Sequence, residues 1–327
     1  MNYIRLIRLH NLLIMAGTLY AMRWLVIWPI LHINGFEMQF GELNFLFLVI
    51  AVMCIAAGGY VINDYFDRKA DRINNPDDVI VGKVIHRRFA MILHSVLNAV
   101  GALLGFYISY VSGHWKYGFV FLFITGILWF YSTSYKRRFL LGNFVIALIT
   151  AIVPMMILLF EIPILFKAYK EIQTGFNTCT NHIFYLVSGF AFFAFITTMI
   201  REVIKDIEDM EGDAGIGSKT LPIILGIKTA KAVVLALIAI TIASVFIAYF
   251  IYLKDLYLLI NDRITFWYLF VICIPLIVTA WLLINAKDKK GFSLASKMTK
   301  LVMLLGVCYS FIIWYVIFEN AGVLINA

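Results

Sequence analysis

Charge is the scarcest commodity in this chain: lysine, arginine, aspartate and glutamate make up 14% of its 327 residues, while 63% are hydrophobic. A soluble domain carries roughly 25% charged and about 45–50% apolar residues, so a water-soluble globule is excluded. Cysteine is equally sparse. Cys54, Cys179, Cys273 and Cys308 have no pairwise spacing suited to a thiolate metal site or a disulfide framework, and three of them fall in long apolar runs, which leaves packing as their role. The six histidines form no His-x-x-x-His or His-x-x-Glu pattern, and zinc and haem are set aside. No proline-, glycine- or serine-rich linker interrupts the chain, so residues 1–327 read as a single transmembrane domain.

What is abundant is apolar length. A helix needs about 20 mostly apolar residues to cross the hydrocarbon core, and nine runs qualify, near 10–32, 44–65, 89–111, 118–135, 141–165, 183–204, 229–252, 265–286 and 298–319. The expected fold is therefore all-α: a polytopic membrane bundle of about nine transmembrane helices around a central cavity. The basic, then apolar N-terminus has the look of a secretory leader. Because long apolar runs follow throughout, it is read as the first span. Phenylalanine (28), tyrosine (17) and tryptophan (7) suit lipid-facing packing and headgroup belts.

The cations sort by side. Between the runs, 21 of the 27 lysines and arginines fall on one face, from Arg5 and Arg8 to Lys297 and Lys300, and five on the other: Lys116, Lys167, Lys170, Lys254 and Arg263. Only Arg23 lies within a span. Cytoplasmic loops are the positively charged ones, so the expectation is an integral protein of the cell inner membrane with a cytoplasmic N-terminus. The net charge of +8 is then mostly topological, with attraction to anionic membrane lipids secondary, and gives no reason to invoke nucleic acid.

Two acidic segments stand out, after the second and sixth runs, and both fall on the cation-rich face. In NDYFDRKADRINNPDD, Asn63, Asp67 and Asp71 recur at i, i+4 and i+8, which on a helix is one oxygen-bearing stripe. In REVIKDIEDMEGDAGIG, Asp206, Asp209 and Asp213 recur at i, i+3 and i+7, a second helical stripe, with Gly212, Gly215 and Gly217 marking the helix end. Hard divalent cations seek such oxygens, and magnesium is held by one or two carboxylates plus phosphate oxygens and waters. Acids at membrane ends can be solvated loop decoration; two clusters at helical spacing on one face argue for a shared site. Lys136, in YSTSYKRR, lies on the same face and reads equally well as a ligand or as a topogenic charge.

These segments resemble the UbiA superfamily of intramembrane prenyltransferases, whose pattern is Asn-x-x-x-Asp-x-x-x-Asp after the second helix and Asp-x-x-x-Asp after the sixth. Asn63, Asp67 and Asp71 match the first; Asp209 and Asp213 match the second, preceded by Asp206. The resemblance implies Mg2+ held by Asn63, Asp67, Asp71, Asp209 and Asp213, with Asp67, Asp71, Asp209 and Asp213 catalytic. It implies a prenyl diphosphate contacted by Asn63, Asp206, Arg72, Lys136, Arg201 and Lys205, and a lipid-soluble acceptor. The family's Tyr-x-x-x-Lys element departs here: Tyr131 stands five residues before Lys136, with Ser132 at the expected tyrosine position. Tyr65, Phe66, Tyr131 and Tyr135 are candidate aromatic faces for an allylic cation. Residues 63–76 look most like the branch that alkylates geranylgeranylglyceryl phosphate; an aromatic quinone or chlorophyll-type acceptor is the alternative. Asp77-Asp78-Val79-Ile80-Val81-Gly82 departs from the Arg-Pro-Ile-Pro-Ser-Gly common in relatives. A secondary transporter would place its acids near the midplane, on broken helices, and a phosphoalcohol transferase would need Asp-Gly and Ala-Arg elements that are missing.

Overall fold

The computed structural model describes residues 2–74, 76–77, 79–170, 173–253 and 263–326; Asp78 and Lys254, used in the sequence reading, lie outside the described residues. Among the described residues nine helices are long and apolar enough to span a bilayer. They are α1 (Leu9–Ile33), α2 (Glu42–Asn74), α3 (Arg87–Val111), α4 (Trp115–Thr133), α5 (Leu141–Ala168), α6 (Phe176–Glu208), α7 (Leu221–Leu253), α8 (Arg263–Asn285) and α9 (Lys289–Glu319). The nine runs match these helices in order. The helices outrun their apolar runs at both ends: α6, α7 and α9 begin seven to nine residues earlier, α2 continues nine residues past its run to Asn74, and α6 four residues to Glu208. Polar residues there keep the helical spacing after hydropathy has fallen, so hydropathy alone cuts these helices short.

Each helix packs on its sequence neighbour, and α9 returns to α1, so the nine close a ring around a central cavity; α6 also packs on α9, and α2 on α4. α1 begins after a short helix, Asn2–Leu6, and contains a π-helical turn, Met22–Ile27. Between the short helix and α1, Arg8 adopts a left-handed conformation (φ 51°, ψ 54°). Strain of that kind, of order 1–3 kcal/mol, persists only where surroundings over-determine it. Here an ion pair to Asp64 at 2.9 Å and the face of Tyr60, 5.0 Å away, hold the guanidinium.

The largest buried cluster lies where α1, α2 and α5 meet, at the end remote from the acidic segments, with Phe40 stacked on Phe160 at 5.4 Å. Within it, Arg23, only 1% exposed, donates to the Phe40 carbonyl and to Glu42 at 2.6 Å each, and to Glu161 at 3.4 Å. Glu161, fully buried, also accepts from the backbone N–H groups of Gln39 (2.6 Å) and Phe40 (3.2 Å). A charge within a span is costly unless paired. Arg23 is paired, which accounts for the one cation that the loop count left over. Cys179 is a packing residue of the same cluster.

Candidate active site

The first acidic stripe is helical throughout, because α2 runs unbroken from Glu42 to Asn74. Asn63 donates from Nδ2 to Asp67 Oδ2 at 2.7 Å, and Lys136 pairs with the same oxygen. Asp67 is 6% exposed, and the Asn63 Oδ1 atom beside it is buried with no partner. A buried oxygen left without a donor costs about 1–3 kcal/mol, which a cation would relieve.

The second stripe is not continuous. α6 stops at Glu208, Asp209 takes a non-helical conformation (φ −99°, ψ 7°), and a separate short helix, Met210–Gly215, follows. Asp206 therefore sits on α6, where Asn143 of α5 donates to its Oδ2 at 2.9 Å, while Asp213 sits on the short helix, 9% exposed. The expectation of one helical stripe is corrected: the break turns Asp213 back toward α2.

Asn74 holds that break in place. Its Nδ2 donates to the Asp209 carbonyl at 3.0 Å and its Oδ1 accepts from the Gly212 N–H at 2.9 Å, spanning 135 and 138 residues of sequence. Gly212 is required for the approach, since a Cβ there would come within 2.7 Å of the Ala70 carbonyl and closer still to the Asn74 amide. Sequence reasoning missed Asn74, although it continues the Asn63–Asp67–Asp71 register by three residues. Gly142 plays the same part at the start of α5, where a Cβ would meet Lys136 Cα at 2.7 Å. This packs α5 against the turn carrying Lys136.

These groups open on one cavity of about 310 Å³. Asn63, Asp67, Asp71, Lys136, Arg201, Lys205, Asp206, Asp209 and Asp213 all line it. Arg72 does not: it is exposed and lies outside this wall, one residue and about 100° around the helix from Asp71. Of the four aromatic candidates only Tyr131 lines the cavity. Lys136 follows the end of α4 in a 3-10 turn, Tyr135–Arg137, so Tyr131 and Lys136 reach one site despite a spacing that does not fit a helix. Phe66 instead packs edge-on against Trp129, and the Tyr65 hydroxyl accepts from Arg87 at 2.9 Å. Beyond the polar end the cavity wall follows the α2 face through Gly59, Ala56, Ile55 and Val52, about 22 Å along the helix from Asp67, toward Phe121 of α4.

The polar end is electrostatically unbalanced. Burial and the neighbouring Asp209 and Asp67 push the Asp213 carboxyl up to about 6, against the pull of Lys136. Lys136 would lose charge on burial, but the Asp67 carboxylate outweighs this and keeps it firmly protonated. Among the described residues no three carboxylates converge closely enough to hold a metal by themselves. Opposed carboxylates that become complete only when an anionic ligand adds its oxygens match the way magnesium is bound with phosphates.

A model of the UbiA prenyltransferase family matches residues 12–301. The chain belongs to that family. It is 31% identical over 277 residues to the digeranylgeranylglyceryl phosphate synthase of Methanosphaera stadtmanae, covering 84% of this chain and 86% of that one. It is also 31% identical over 266 residues to the synthase of the same name from Sulfolobus acidocaldarius, covering 79% and 81%. Among solved structures, a digeranylgeranylglyceryl phosphate synthase superposes with a TM-score of 0.56 at 23% identity, over 95% of this chain and 96% of that one. A UbiA homologue from Aeropyrum pernix gives 0.61 at 14%, over 89% and 97%. A homologue from Archaeoglobus fulgidus bound to DMAPP and Mg2+ gives 0.53 at 16%, over 95% and 99%. At these identities the solved structures establish the fold, and the UbiA resemblance drawn from the two motifs is borne out.

Proposed function

We propose that this membrane prenyltransferase moves a geranylgeranyl group from its diphosphate to the free hydroxyl of geranylgeranylglyceryl phosphate, forming an ether lipid precursor, with all of residues 1–327 serving as one catalytic domain. The observation that carries the reading is a single cavity with opposed carboxylates at one end and an apolar shaft at the other. The curated relatives named digeranylgeranylglyceryl phosphate synthase support the acceptor. The Archaeoglobus homologue, bound to Mg2+ together with DMAPP, supports the metal.

The residues divide the work by place. Asn63, Asp67 and Asp71 on α2 and Asp209 and Asp213 across the cavity would hold Mg2+, for which the unpartnered Asn63 oxygen and the surplus carboxylates fit. When bound, the metal neutralises the diphosphate so that its carbon–oxygen bond can break. Lys136, Arg201 and Lys205 contact phosphate oxygens through charge-assisted hydrogen bonds. Asn143 fixes Asp206, and Asn74 fixes the loop bearing Asp209 and Asp213. The apolar wall from Gly59 to Val52 takes the prenyl chain and excludes water, which would otherwise quench an allylic cation. Tyr131 offers that cation an aromatic face. Diphosphate leaves with the bonding electron pair, and the acceptor hydroxyl oxygen bonds to the allylic carbon and releases its proton.

The excess of 21 of 27 cations on one side supports a cytoplasmic N-terminus and a cytoplasmic active site in the cell inner membrane. Single cysteines at Lys83 and Gly215 of a cysteine-free variant would then react with impermeant thiol reagents from the cytoplasmic side only. The function itself is tested by offering geranylgeranyl diphosphate with geranylgeranylglyceryl phosphate, 4-hydroxybenzoate and 1,4-dihydroxy-2-naphthoate together, with magnesium present or chelated. The expected product is the magnesium-dependent diether phosphate. Product on an aromatic acid alone would overturn the acceptor and leave prenyl transfer standing.

A further inference from the structure

The loop count treats Lys297 and Lys300 alike, as charges that set topology. The structure separates them. Both side chains are exposed, but Lys297 stands outside the cavity wall, whereas Lys300, about 16 Å into α9 from Lys289, lines the cavity together with Met303 and Leu304. α9 contributes no acid to that wall. A cation at the start of a span that faces the cavity has a use beyond topology.

The other cations of the cavity are at least partly spoken for. Arg8 pairs with Asp64 at 2.9 Å, Arg201 with Glu202 at 2.6 Å, Lys136 with Asp67, and Lys205 approaches Asp209 at 3.7 Å. Lys300 has no ion pair or hydrogen bond among the described residues. Its electrostatic neighbours are themselves cations: Arg201, Lys205, Arg8 and Lys297. His10, also on the cavity wall, lies in the field of Lys300, Arg8 and Arg201. The Arg201 Nε atom is buried and without a partner, so the guanidinium keeps a donor free after meeting Glu202. Glu202 and Asp64 answer Arg201 and Arg8, but no carboxylate answers Lys300, so its charge repels the cations around it and an anion bound there relieves the repulsion. Beside this cluster, Ile14 and Leu304 line the cavity and are also exposed, so its wall continues onto the apolar surface between α1 and α9.

Resting on the acceptor proposed above, we infer that Lys300, with His10, forms a second anion subsite that binds the phosphate monoester of the acceptor lipid, bordered by Arg201 but apart from the carboxylates that serve the diphosphate. This division explains how one cavity takes two phosphorylated lipids. The diphosphate requires a metal between itself and carboxylates, whereas a monoester on a cationic wall requires none. The subsite thus selects for a phosphorylated acceptor over the corresponding alcohol.

The test uses the full-length enzyme in detergent or vesicles with geranylgeranyl diphosphate, Mg2+, and either geranylgeranylglyceryl phosphate or its dephosphorylated alcohol. Lys300→Ala is expected to raise KM for the phosphorylated acceptor roughly ten- to hundredfold, as for loss of a charge-assisted contact. KM for the diphosphate should stay within about twofold, the preference for phosphate over alcohol should collapse, and Lys300→Arg should restore most of it. An unchanged acceptor KM, or a rise in the diphosphate KM instead, would overturn the inference. If the alanine protein does not purify, the near-isosteric Lys300→Gln decides by the same two constants. Wild-type enzyme that cannot use the glyceryl phosphate at all refutes the proposed function, and this subsite with it. Wild-type enzyme that uses it while both Lys300 variants keep their acceptor KM refutes the subsite alone.

Discussion

The two ends of α2 carry two charge clusters that solve the same problem in opposite ways. At its start, Glu42 meets Arg23 and Glu161; about 37 Å along the same helix, Asp67 and Asp71 face Asp206, Asp209, Asp213 and Lys136 across the cavity. The first cluster is nearly closed. Glu161 accepts two backbone N–H groups and the Arg23 guanidinium, and Arg23 in turn satisfies a carbonyl and both glutamates, leaving only its Nε unpartnered. The second is open. Carboxylates outnumber the cations that touch them, an asparagine oxygen has no partner, and the volume between is hollow. Charge that is balanced by the chain fixes a fold. Charge left unbalanced beside a cavity is the part that binds.

The contrast breaks most sharply if the open cluster proves structural. Asp71→Asn and Asp213→Asn are each expected to lower turnover by about a thousandfold or more, since each removes a negatively charged ligand from a site built on ligand count. Their thermal midpoints in detergent should be unchanged or higher, because a buried, mutually repelling carboxylate is removed. Millimolar Mg2+ with a diphosphate should raise the midpoint of the wild type by mass action and that of the variants less. Wild-type turnover in either variant would mean that the acids are decoration.

Next in size is the closed cluster. Glu161→Ala leaves the Arg23 guanidinium and two backbone N–H groups underserved in the interior, and about 3 kcal/mol of stability is expected to be lost. Activity per folded molecule should hold, measured as turnover normalised to the folded fraction. A selective loss of activity without loss of stability would abolish the distinction between the two ends.

Asn74→Ala probes the open site from behind. It frees the Asp209 carbonyl and the Gly212 N–H without touching a ligand, so the expected effect is about a tenfold fall in kcat, with a higher Mg2+ concentration needed for half-maximal rate. Asn74→Asp keeps the acceptor for Gly212 and should recover part of the loss; failure of both to alter the magnesium dependence would show that the hook is positioned by other contacts. The smallest change is expected from Glu42→Gln. Its side chain is 62% exposed, and an exposed pair contributes about 0–1 kcal/mol, so unfolding and turnover should both lie close to wild type.

What the sequence determined by itself was everything governed by neighbours along the chain. Nine apolar runs had to become spans because their backbone groups find no water in lipid. Asn63, Asp67 and Asp71 had to share a face because α2 is an unbroken helix, and the family followed from those spacings. What only the tertiary structure decided was everything that depends on partners far away in the chain. Arg23 is neutralised by a residue 138 positions away, and Asn74 grips a loop 135 positions away. The second stripe is broken at Asp209, because Asp213 reaches the site from a separate short helix rather than from α6. Tyr131 and Lys136 share a wall across a 3-10 turn that helical spacing could not anticipate, while Arg72 and Phe66, as close to the motif in sequence, point elsewhere. Lys297 and Lys300 are three residues apart and equal in composition. Both are exposed, and only the ring closure that brings α9 against α1 and α6 puts Lys300 on the cavity wall and leaves Lys297 off it.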